Sequence, residues 1–177
     1  MERVVVTGIG LVTPCGVGTE TTFHNVVEGK SGVRRISLFD ASGFPTTIAG
    51  EVPDFDAERF IPRKKLKEMG RFAHLAVAAS KLSWEDAGFS DTNKPSDQVL
   101  EQTGTFLGVG LGGLEGIYQQ AITLRDKGPS KITPYFIPAV IGNLAGGQAA
   151  MALGLKGPSY ANTSACASSA HAVGEAF

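Results

Sequence analysis

The 177-residue chain has a formal net charge of −1, with 19% charged and 42% hydrophobic residues. That balance argues against intrinsic disorder and against a nucleic-acid-binding protein driven by bulk charge. The length suggests a single domain, residues 1–177, large enough for a sizeable core.

The first hundred residues predict one strand and two helices. A β-branched run followed by glycine predicts a buried strand at 3–7. A helix is expected at 19–28, with Thr19 as its N-cap, and an irregular surface excursion packed by its aromatic residues at 31–56. Apolar residues at three- and four-residue steps predict one long helix over 62–87, with a close-packed, alanine-rich middle. A polar loop over 90–101 follows.

The rest of the chain alternates strands and helices. Strands are expected at 103–109 and 158–163, and helices at 114–125, 137–153 and 167–177. This alternation predicts an α/β fold with a largely parallel central sheet. Because a parallel sheet normally receives a strand after such a helix, we expect the chain to be the N-terminal part of a longer protein.

The cysteines and the hydropathy pattern indicate a location. The chain has two cysteines, Cys15 and Cys166, which lie far apart and form no CxxC or Cys/His cluster. We therefore expect no metal site and a reducing, cytoplasmic setting, with an organellar stroma or matrix as the alternative. No apolar run approaches the length of a membrane span, so no membrane association is expected.

Cys166 is the strongest candidate for chemistry. It lies among small residues where a predicted strand gives way to a predicted helix. The free N–H groups and the dipole at a helix N-terminus favour a thiolate, and small neighbours admit a substrate. The alternative is a small cysteine buried in the core.

A cysteine nucleophile usually needs a base, and none is evident. His171 follows Cys166 by five positions, which places it roughly 140° around the helix from the thiol. His24 and His74 lie within helical patterns and resemble ordinary surface or boundary histidines. Either the helix terminus activates the thiol alone, or the partners lie on another segment.

Two glycine-rich stretches and one basic run remain. Residues 8–13 lack the third glycine of a dinucleotide-binding loop, and 108–113 is a weak phosphate-loop candidate that also fits close backbone packing beside a pocket. The run from Arg63 to Lys67 is either a solvated helix face or, with Lys131, a docking patch for an acidic partner.

Four segments in one order carry a family resemblance. They are RVVVTGIGLVTPCG, GVGLGGLEG, GPSKITPYFIP with NLAGG, and GPSYANTSACASSAHAVGEAF. Together they resemble the β-ketoacyl-[acyl-carrier-protein] synthases of the elongating type II class. The resemblance implies a thiolase-like fold with αβαβα layers, of which this chain is the N-terminal half with a mostly parallel sheet. It also implies a homodimer and no cofactor.

The resemblance implies a decarboxylative Claisen condensation with Cys166 as nucleophile. Cys166 takes an acyl chain from an acyl carrier protein, and malonyl-carrier protein extends it in fatty-acid elongation. The Cys166 N–H forms half of the oxyanion hole. Leu111 and Ala165 match positions that line the acyl pocket, and Phe136 matches one contributed across the dimer interface.

The resemblance also assigns a docking face. Lys64, Lys67 and Lys131 match the basic surface that binds the acidic carrier protein, while Glu68 and Ser130 depart from that pattern and put the strength or angle of docking in doubt. The family's catalytic histidines, supporting lysine and Phe-Gly loop belong to a second half. We therefore expect the 177-residue chain alone to be inactive, and poorly soluble or unfolded.

Two other functions are compatible with the same motifs. One is a polyketide-type ketosynthase, which the motifs do not separate from a fatty-acid enzyme. The other is a non-catalytic subunit that binds carrier protein and sets chain length. Such subunits usually lack the cysteine, so Cys166 argues against this second alternative.

Overall fold

A computed structural model of the chain describes residues 3–177, which form six strands and eight α-helices. The strands are β1 (Val12–Thr13), β2 (Gly16–Val17), β3 (Val33–Arg35), β4 (Ile48–Gly50), β5 (Thr105–Gly108) and β6 (Ser159–Asn162). The helices are α1 (Thr19–Val27), α2 (Arg63–Leu66), α3 (Arg71–Asp86), α4 (Asp97–Gln102), α5 (Leu114–Lys127), α6 (Phe136–Val140), α7 (Leu144–Leu153) and α8 (Ser168–Ala176). Short 3₁₀ turns occupy Ala57–Arg59, Pro129–Lys131 and Ala165–Ala167.

The parallel pair β5–β6 forms the platform beneath Cys166. Its register runs from Thr105 opposite Ser159 to Gly108 opposite Asn162. Side chains alternate between the two faces of a strand. The Thr105 hydroxyl donates to the Gly146 carbonyl of α7, whereas Gly108 lies against the start of α8. The pair is therefore covered by α7 on one face and by α8 on the other, as the predicted α/β alternation requires.

The packing of α3 along α7 provides the best-buried part of the core. Ala73, Ala78 and Ala149 are fully buried, and Ala145 nearly so. Side chains this small let two helix backbones approach closely, which confirms the close packing predicted for the alanine-rich helix. Phe55, Phe60, Ile61 and Val77 close the core around this contact.

The strand predicted at 3–7 is wrong: these residues form no strand and pair with no strand among residues 3–177. A β-strand needs a neighbouring strand to accept and donate its backbone hydrogen bonds, and residues 3–7 have no such partner among the described strands. The side chains of Val4, Val5 and Val6 are exposed. The next residues are held by α3. The Ser83 hydroxyl donates to the Gly8 carbonyl, and the Ile9 N–H donates to Asp86 Oδ2 at 2.8 Å.

The excursion predicted to be irregular contains an antiparallel pair, β3–β4, so that prediction is wrong at 33–35 and 48–50 and holds for the loop between the two strands. The loop between the strands is held by Glu51. Its carboxylate accepts hydrogen bonds from the Ser37 N–H (2.9 Å), the Ser37 hydroxyl (2.7 Å) and the Leu38 N–H (3.2 Å). The hydrogen bond from Ser37 is the main cause of the lowered pKa of Glu51.

The long helix predicted over 62–87 is two helices, α2 and α3, separated at Gly70. Gly70 lies so close to the Ala139 carbonyl that a side chain there would overlap it. The helix predicted over 137–153 is likewise divided into α6 and α7. The predicted loop over 90–101 contains the start of α4, whose N-cap Ser96 accepts from the Val99 N–H.

The other predicted elements are confirmed within a few residues, namely α1, α5, α8, β5 and β6. The first residue of α1 is Thr19, while Gly18 occupies the N-cap position. No helix between Arg3 and Phe177 is both long enough and apolar enough to cross a membrane.

Candidate active site

Cys166 lies in a tight turn between β6 and α8. The strand ends at Asn162, a 3₁₀ turn occupies Ala165–Ala167, and α8 starts at Ser168. Ala165 has φ = 50°, the sole positive φ of a non-glycine residue in the part of the chain that the structure describes. Cys166 is exposed. The structure therefore excludes the buried-core alternative and presents the thiol on a strained turn.

Hydrogen bonds across the turn maintain this conformation. The Ser164 N–H donates to Ser168 Oγ at 2.8 Å, and the Ser168 hydroxyl donates to the Ala165 carbonyl at 2.8 Å. The Ala167 N–H donates to the Ser164 carbonyl at 3.1 Å. These hydrogen bonds use backbone groups and the Ser168 hydroxyl, so the Cys166 sulfur takes no part in them.

The end of β5 supports the turn from the side. The Val109 N–H donates to the Asn162 carbonyl at 2.9 Å, which extends the parallel pairing to the edge of the sheet. With its amide nitrogen facing two carbonyls, Asn162 donates to Ser168 (3.1 Å) and Leu107 (3.3 Å). The loops after both strands thus meet where ligands bind in open α/β sheets, at the carboxyl ends of parallel strands.

A groove of about 470 Å³ lies beside the turn. Its lining includes Phe106, Tyr160, Ser164, His171 and Glu175. Nδ1 of His171 is hydrogen-bonded to Ser164 Oγ at 2.8 Å. The imidazole therefore contacts the turn at Ser164 and not at the sulfur.

No side chain among the described residues forms a hydrogen bond with the Cys166 thiol. His74 Nε2 lies 3.0 Å from the Leu66 carbonyl, and His24 is exposed on α1. Within the same range, no group of three or more His, Cys, Asp or Glu side chains could hold a metal ion. The chemistry of the described site therefore centres on the cysteine and on backbone groups.

The backbone N–H of Cys166 is available to an incoming ligand. Its neighbours, the Ala167 and Ser168 N–H groups, donate to the Ser164 and Ala165 carbonyls, but from Arg3 to Phe177 no acceptor pairs with the Cys166 N–H. An N–H beside a nucleophile can stabilise the oxyanion that forms when the nucleophile attacks a carbonyl.

Two of the predicted pocket residues lie on neighbouring segments. Leu111 is 77% exposed on the loop after β5, where it lines a cavity of about 280 Å³ with Phe72 and Val109. Phe136 is half-buried and begins α6, whose last residue, Val140, accepts a hydrogen bond from the Gly113 N–H at 3.0 Å. Ala165, the third predicted pocket residue, directly precedes Cys166.

The three predicted docking lysines, Lys64, Lys67 and Lys131, are exposed. Lys64 and Lys131 are exposed on α2 and on the 3₁₀ turn at 129–131. Lys67, directly after α2, places its Nζ 5.6 Å from the centre of the Tyr135 ring, four residues after Lys131. Lys65 is paired with Glu68 at 2.8 Å, and this hydrogen bond raises the pKa of Lys65.

Ser164 and Ser168 have roles that the sequence motifs did not predict. The signal was present, because a serine at the first position of a helix commonly bonds to nearby backbone groups. Gly108 also supports the turn, because its lack of a side chain lets α8 begin against β5. This confirms the close-packing interpretation of the first glycine of the 108–113 stretch.

Comparison with known proteins agrees with this geometry. A family model described as "Beta-ketoacyl synthase, N-terminal domain" matches residues 1–177. The chain is 42% identical over 176 residues to 3-oxoacyl-[acyl-carrier-protein] synthase 2 of Synechocystis, covering 99% of this chain and 41% of that protein. It is 39% identical over 184 residues to the protein of the same name from Rhizobium meliloti, covering 99% and 43%. The chain thus spans about two fifths of the length of these relatives.

Solved structures show the same likeness. A β-ketoacyl synthase from Burkholderia phymatum superimposes with a TM-score of 0.83 at 30% identity, covering all of this chain and 43% of that one. The ishigamide ketosynthase/chain length factor gives 0.77 at 28% identity, covering 90% and 39%. A ketosynthase in complex with a type II polyketide acyl-carrier protein gives 0.78 at 19% identity, covering 99% and 46%. These likenesses confirm the thiolase-like α/β fold.

Proposed function

The chain belongs to the β-ketoacyl synthase family, whose N-terminal domain it matches from residue 1 to residue 177, and we propose that the whole protein is a 3-oxoacyl-[acyl-carrier-protein] synthase of fatty-acid elongation. One observation carries the proposal: Cys166 is exposed on a strained turn at the start of a helix, beside its own unpaired N–H. The relatives named 3-oxoacyl-[acyl-carrier-protein] synthase 2 support the choice of reaction.

In the proposed reaction, Cys166 acts twice. Its sulfur attacks the thioester of an acyl-carrier protein, the carrier thiol leaves with a proton, and the acyl chain remains on Cys166. Malonyl-carrier protein then loses CO₂, and the resulting carbanion attacks the acyl-cysteine carbonyl. The carbon–sulfur bond breaks, which releases 3-oxoacyl-carrier protein and restores the cysteine.

The chain's own residues bind and orient in this scheme. The Cys166 N–H stabilises the oxyanion formed in each attack. Leu111, Phe136 and Ala165 line the path of the acyl chain, and Lys64, Lys67 and Lys131 dock the acidic carrier. No base among residues 3–177 reaches Cys166, so we propose that the 177-residue chain alone does not condense and that the function belongs to the whole protein, without a cofactor.

A homodimer and a cytoplasmic location belong to the same proposal. Among the described strands, β6 pairs only with β5, so its other edge is open and Tyr160 is exposed. An open edge of this kind can accept a second subunit. Both cysteines are free, which fits a reducing compartment. The single-domain organisation over 1–177 stays a prediction.

A trapped acyl-enzyme tests the proposal. The full-length protein is mixed with acyl-carrier protein, and the mass of the Cys166 peptide is measured. We expect an acyl adduct on Cys166 that disappears on addition of malonyl-carrier protein. Cys166→Ser should abolish acyl transfer and condensation, while Cys15→Ser, the matched control at the other free cysteine, should leave both within about twofold. Full activity of Cys166→Ser would contradict the proposal.

A polyketide-type ketosynthase is the second candidate, because the sequence motifs fit both functions and the chain superimposes on the ishigamide ketosynthase/chain length factor. Rates for saturated acyl chains and for polyketide chains, measured on the full-length protein, separate the two functions. If the protein were instead a non-catalytic carrier-binding subunit, the same mass measurement would find no acyl group on Cys166.

A further inference from the structure

We propose that Ser168 is a positioning residue that holds Cys166 in its reactive geometry; this inference deepens the function proposed above and rests on it. Ser168 is only 2% exposed, although the residues on both sides of it face solvent. Its hydroxyl forms two short hydrogen bonds with the turn that carries the cysteine, and the Val109 carbonyl, 3.5 Å away just after β5, is a longer alternative acceptor.

The hydroxyl connects the two backbone groups that flank the strain. It accepts from the Ser164 N–H and donates to the Ala165 carbonyl, both at 2.8 Å. Ala165 lies between these bonds with φ = 50°. An L-residue other than glycine leaves this region readily unless its surroundings hold it there. The Ser168 hydroxyl supplies that restraint from both sides.

The restraint matters because Ala165 precedes the nucleophile. The rotation about its backbone sets the direction of the Cys166 peptide group, and with it the directions of the Cys166 N–H and Sγ. Removal of the Ser168 hydroxyl leaves the Ser164 N–H without a partner and the Ala165 carbonyl with only the Ser168 N–H, so Ala165 can relax to negative φ. The sulfur and its N–H then no longer point at the same carbonyl group.

His171 provides a second, weaker support for the same turn. It bonds the Ser164 side chain at 2.8 Å from the exposed face of α8. Ser164 is therefore held through its backbone by Ser168 and through its side chain by His171. Because Ser168 is itself buried and bonds the Ala165 carbonyl directly, Ser168 is the residue that decides the orientation of Cys166.

The test compares Ser168→Ala with Ser169→Ala in the full-length protein. Ser169 is the adjacent, exposed serine and serves as the matched control. Single-turnover acylation by acyl-carrier protein gives a maximal rate and a half-saturating concentration for each variant. We expect Ser168→Ala to lower the maximal rate at least tenfold with the half-saturating concentration unchanged. Ser169→Ala should stay within twofold, and Ser168→Thr, which keeps the hydroxyl, should recover most of the rate.

Alkylation of Cys166 by iodoacetamide separates this inference from the proposed function. It requires a presented thiol but no carrier and no condensation. We expect Ser168→Ala to be alkylated at least threefold more slowly than the wild type. If the wild type takes no acyl group while this difference persists, the proposed function fails and the positioning role stands. Equal alkylation and acylation rates for Ser168→Ala and Ser169→Ala would overturn the positioning role.

Hydrogen exchange of the wild type covers the case in which Ser168→Ala does not fold. The Ser164 amide should exchange at least tenfold more slowly than its unstructured rate, because its hydrogen is held by Ser168 Oγ. Exchange at the unstructured rate in the folded protein would overturn the inference.

Discussion

Gly108 and Ser168 meet backbone to backbone: a side-chain carbon on Gly108 would overlap the Ser168 carbonyl group and the Ser169 nitrogen. The contact joins the end of β5 to the first turn of α8. Because Gly108 has no side chain, α8 can lie directly against β5. The position of the Cys166 turn therefore depends on a residue almost sixty positions earlier in the chain.

The first prediction is that Gly108→Ala disturbs this contact. The neighbouring atoms are backbone and cannot rotate away, so α8 must shift. We expect a loss of about 1–3 kcal/mol in the free energy of unfolding, typical of overpacking, together with slower acylation of Cys166. Urea denaturation and single-turnover acylation of the full-length protein measure the two effects.

Gly174→Ala is the control for Gly108→Ala. Gly174 lies within α8, and a side-chain carbon there meets no atom within 4 Å. Alanine at such a helical position should stabilise by about 0.5–1 kcal/mol. If both substitutions had the same effect, the Gly108–Ser168 contact would not be the cause.

The second prediction concerns Glu51 and pH. Its pKa is lowered below the ordinary value of 4.5, chiefly by the hydrogen bond from Ser37. A carboxylate with a lowered pKa contributes stability that is fully present above its unfolded pKa and is lost as the pH falls through the folded value. Glu51→Gln should therefore destabilise the protein at pH 7, and its deficit relative to the wild type should shrink as the pH falls below 4.5.

Denaturant midpoints of both proteins between pH 7 and pH 3 test this dependence. Asp40→Asn is a comparison rather than a negative control: the pKa of Asp40 is also lowered, chiefly by the backbone hydrogen bond from Ser42, so any deficit of this variant should likewise shrink as the pH falls. A Glu51→Gln deficit that stayed constant with pH would contradict the prediction.

These sites also show what the sequence could reveal. The strands β5 and β6 and the helix α8 were predictable because local patterns mark them: a β-branched or small apolar run, then a glycine or a cluster of small residues. Cys166 was found for the same reason. The role of Ser168 was not predictable, because it depends on a contact with Ala165 in an unusual backbone conformation, and residue propensities do not predict such a conformation.

The errors in the fold share a physical cause. The break between α2 and α3 arises where Gly70 meets the Ala139 carbonyl, a contact between segments about seventy residues apart. The hairpin β3–β4 pairs short, exposed strands that lack a regular hydrophobic alternation. In both places tertiary contacts outweigh the local pattern, and a single sequence does not display them.

The third prediction concerns the docking surface. Glu68 neutralises Lys65 through their 2.8 Å pair. Glu68→Gln should free a positive charge beside Lys64 and Lys67 and tighten binding of an acidic carrier protein about two- to fivefold, the range expected for one exposed charge pair. Binding titrations at low and high salt measure the effect, which should vanish at about 1 M salt, where charges are screened within about 3 Å.

Lys67→Ala and Lys94→Ala complete that experiment. Lys67→Ala should weaken binding of the carrier. Lys94 lies beyond the far end of α3, whose 16 residues extend about 24 Å, so Lys94→Ala should have little effect. Equal losses for the two lysines would show that net charge, and not the proposed surface, governs binding.

The last prediction is that the 177-residue chain, isolated from the rest of a longer protein, binds a hydrophobic dye and melts without a sharp transition. Among residues 3–177 the largest fully buried side chain is Val77, whereas Phe23, Val26 and Val27 form an exposed apolar stripe along α1. Val6, in the N-terminal segment before β1, is 81% exposed. Apolar surface of this extent in a monomer signals a missing partner surface. Dye fluorescence and calorimetry, compared between the isolated chain and the full-length protein, test this expectation. A sharp, cooperative melt of the isolated chain with no dye binding would show that these residues fold independently.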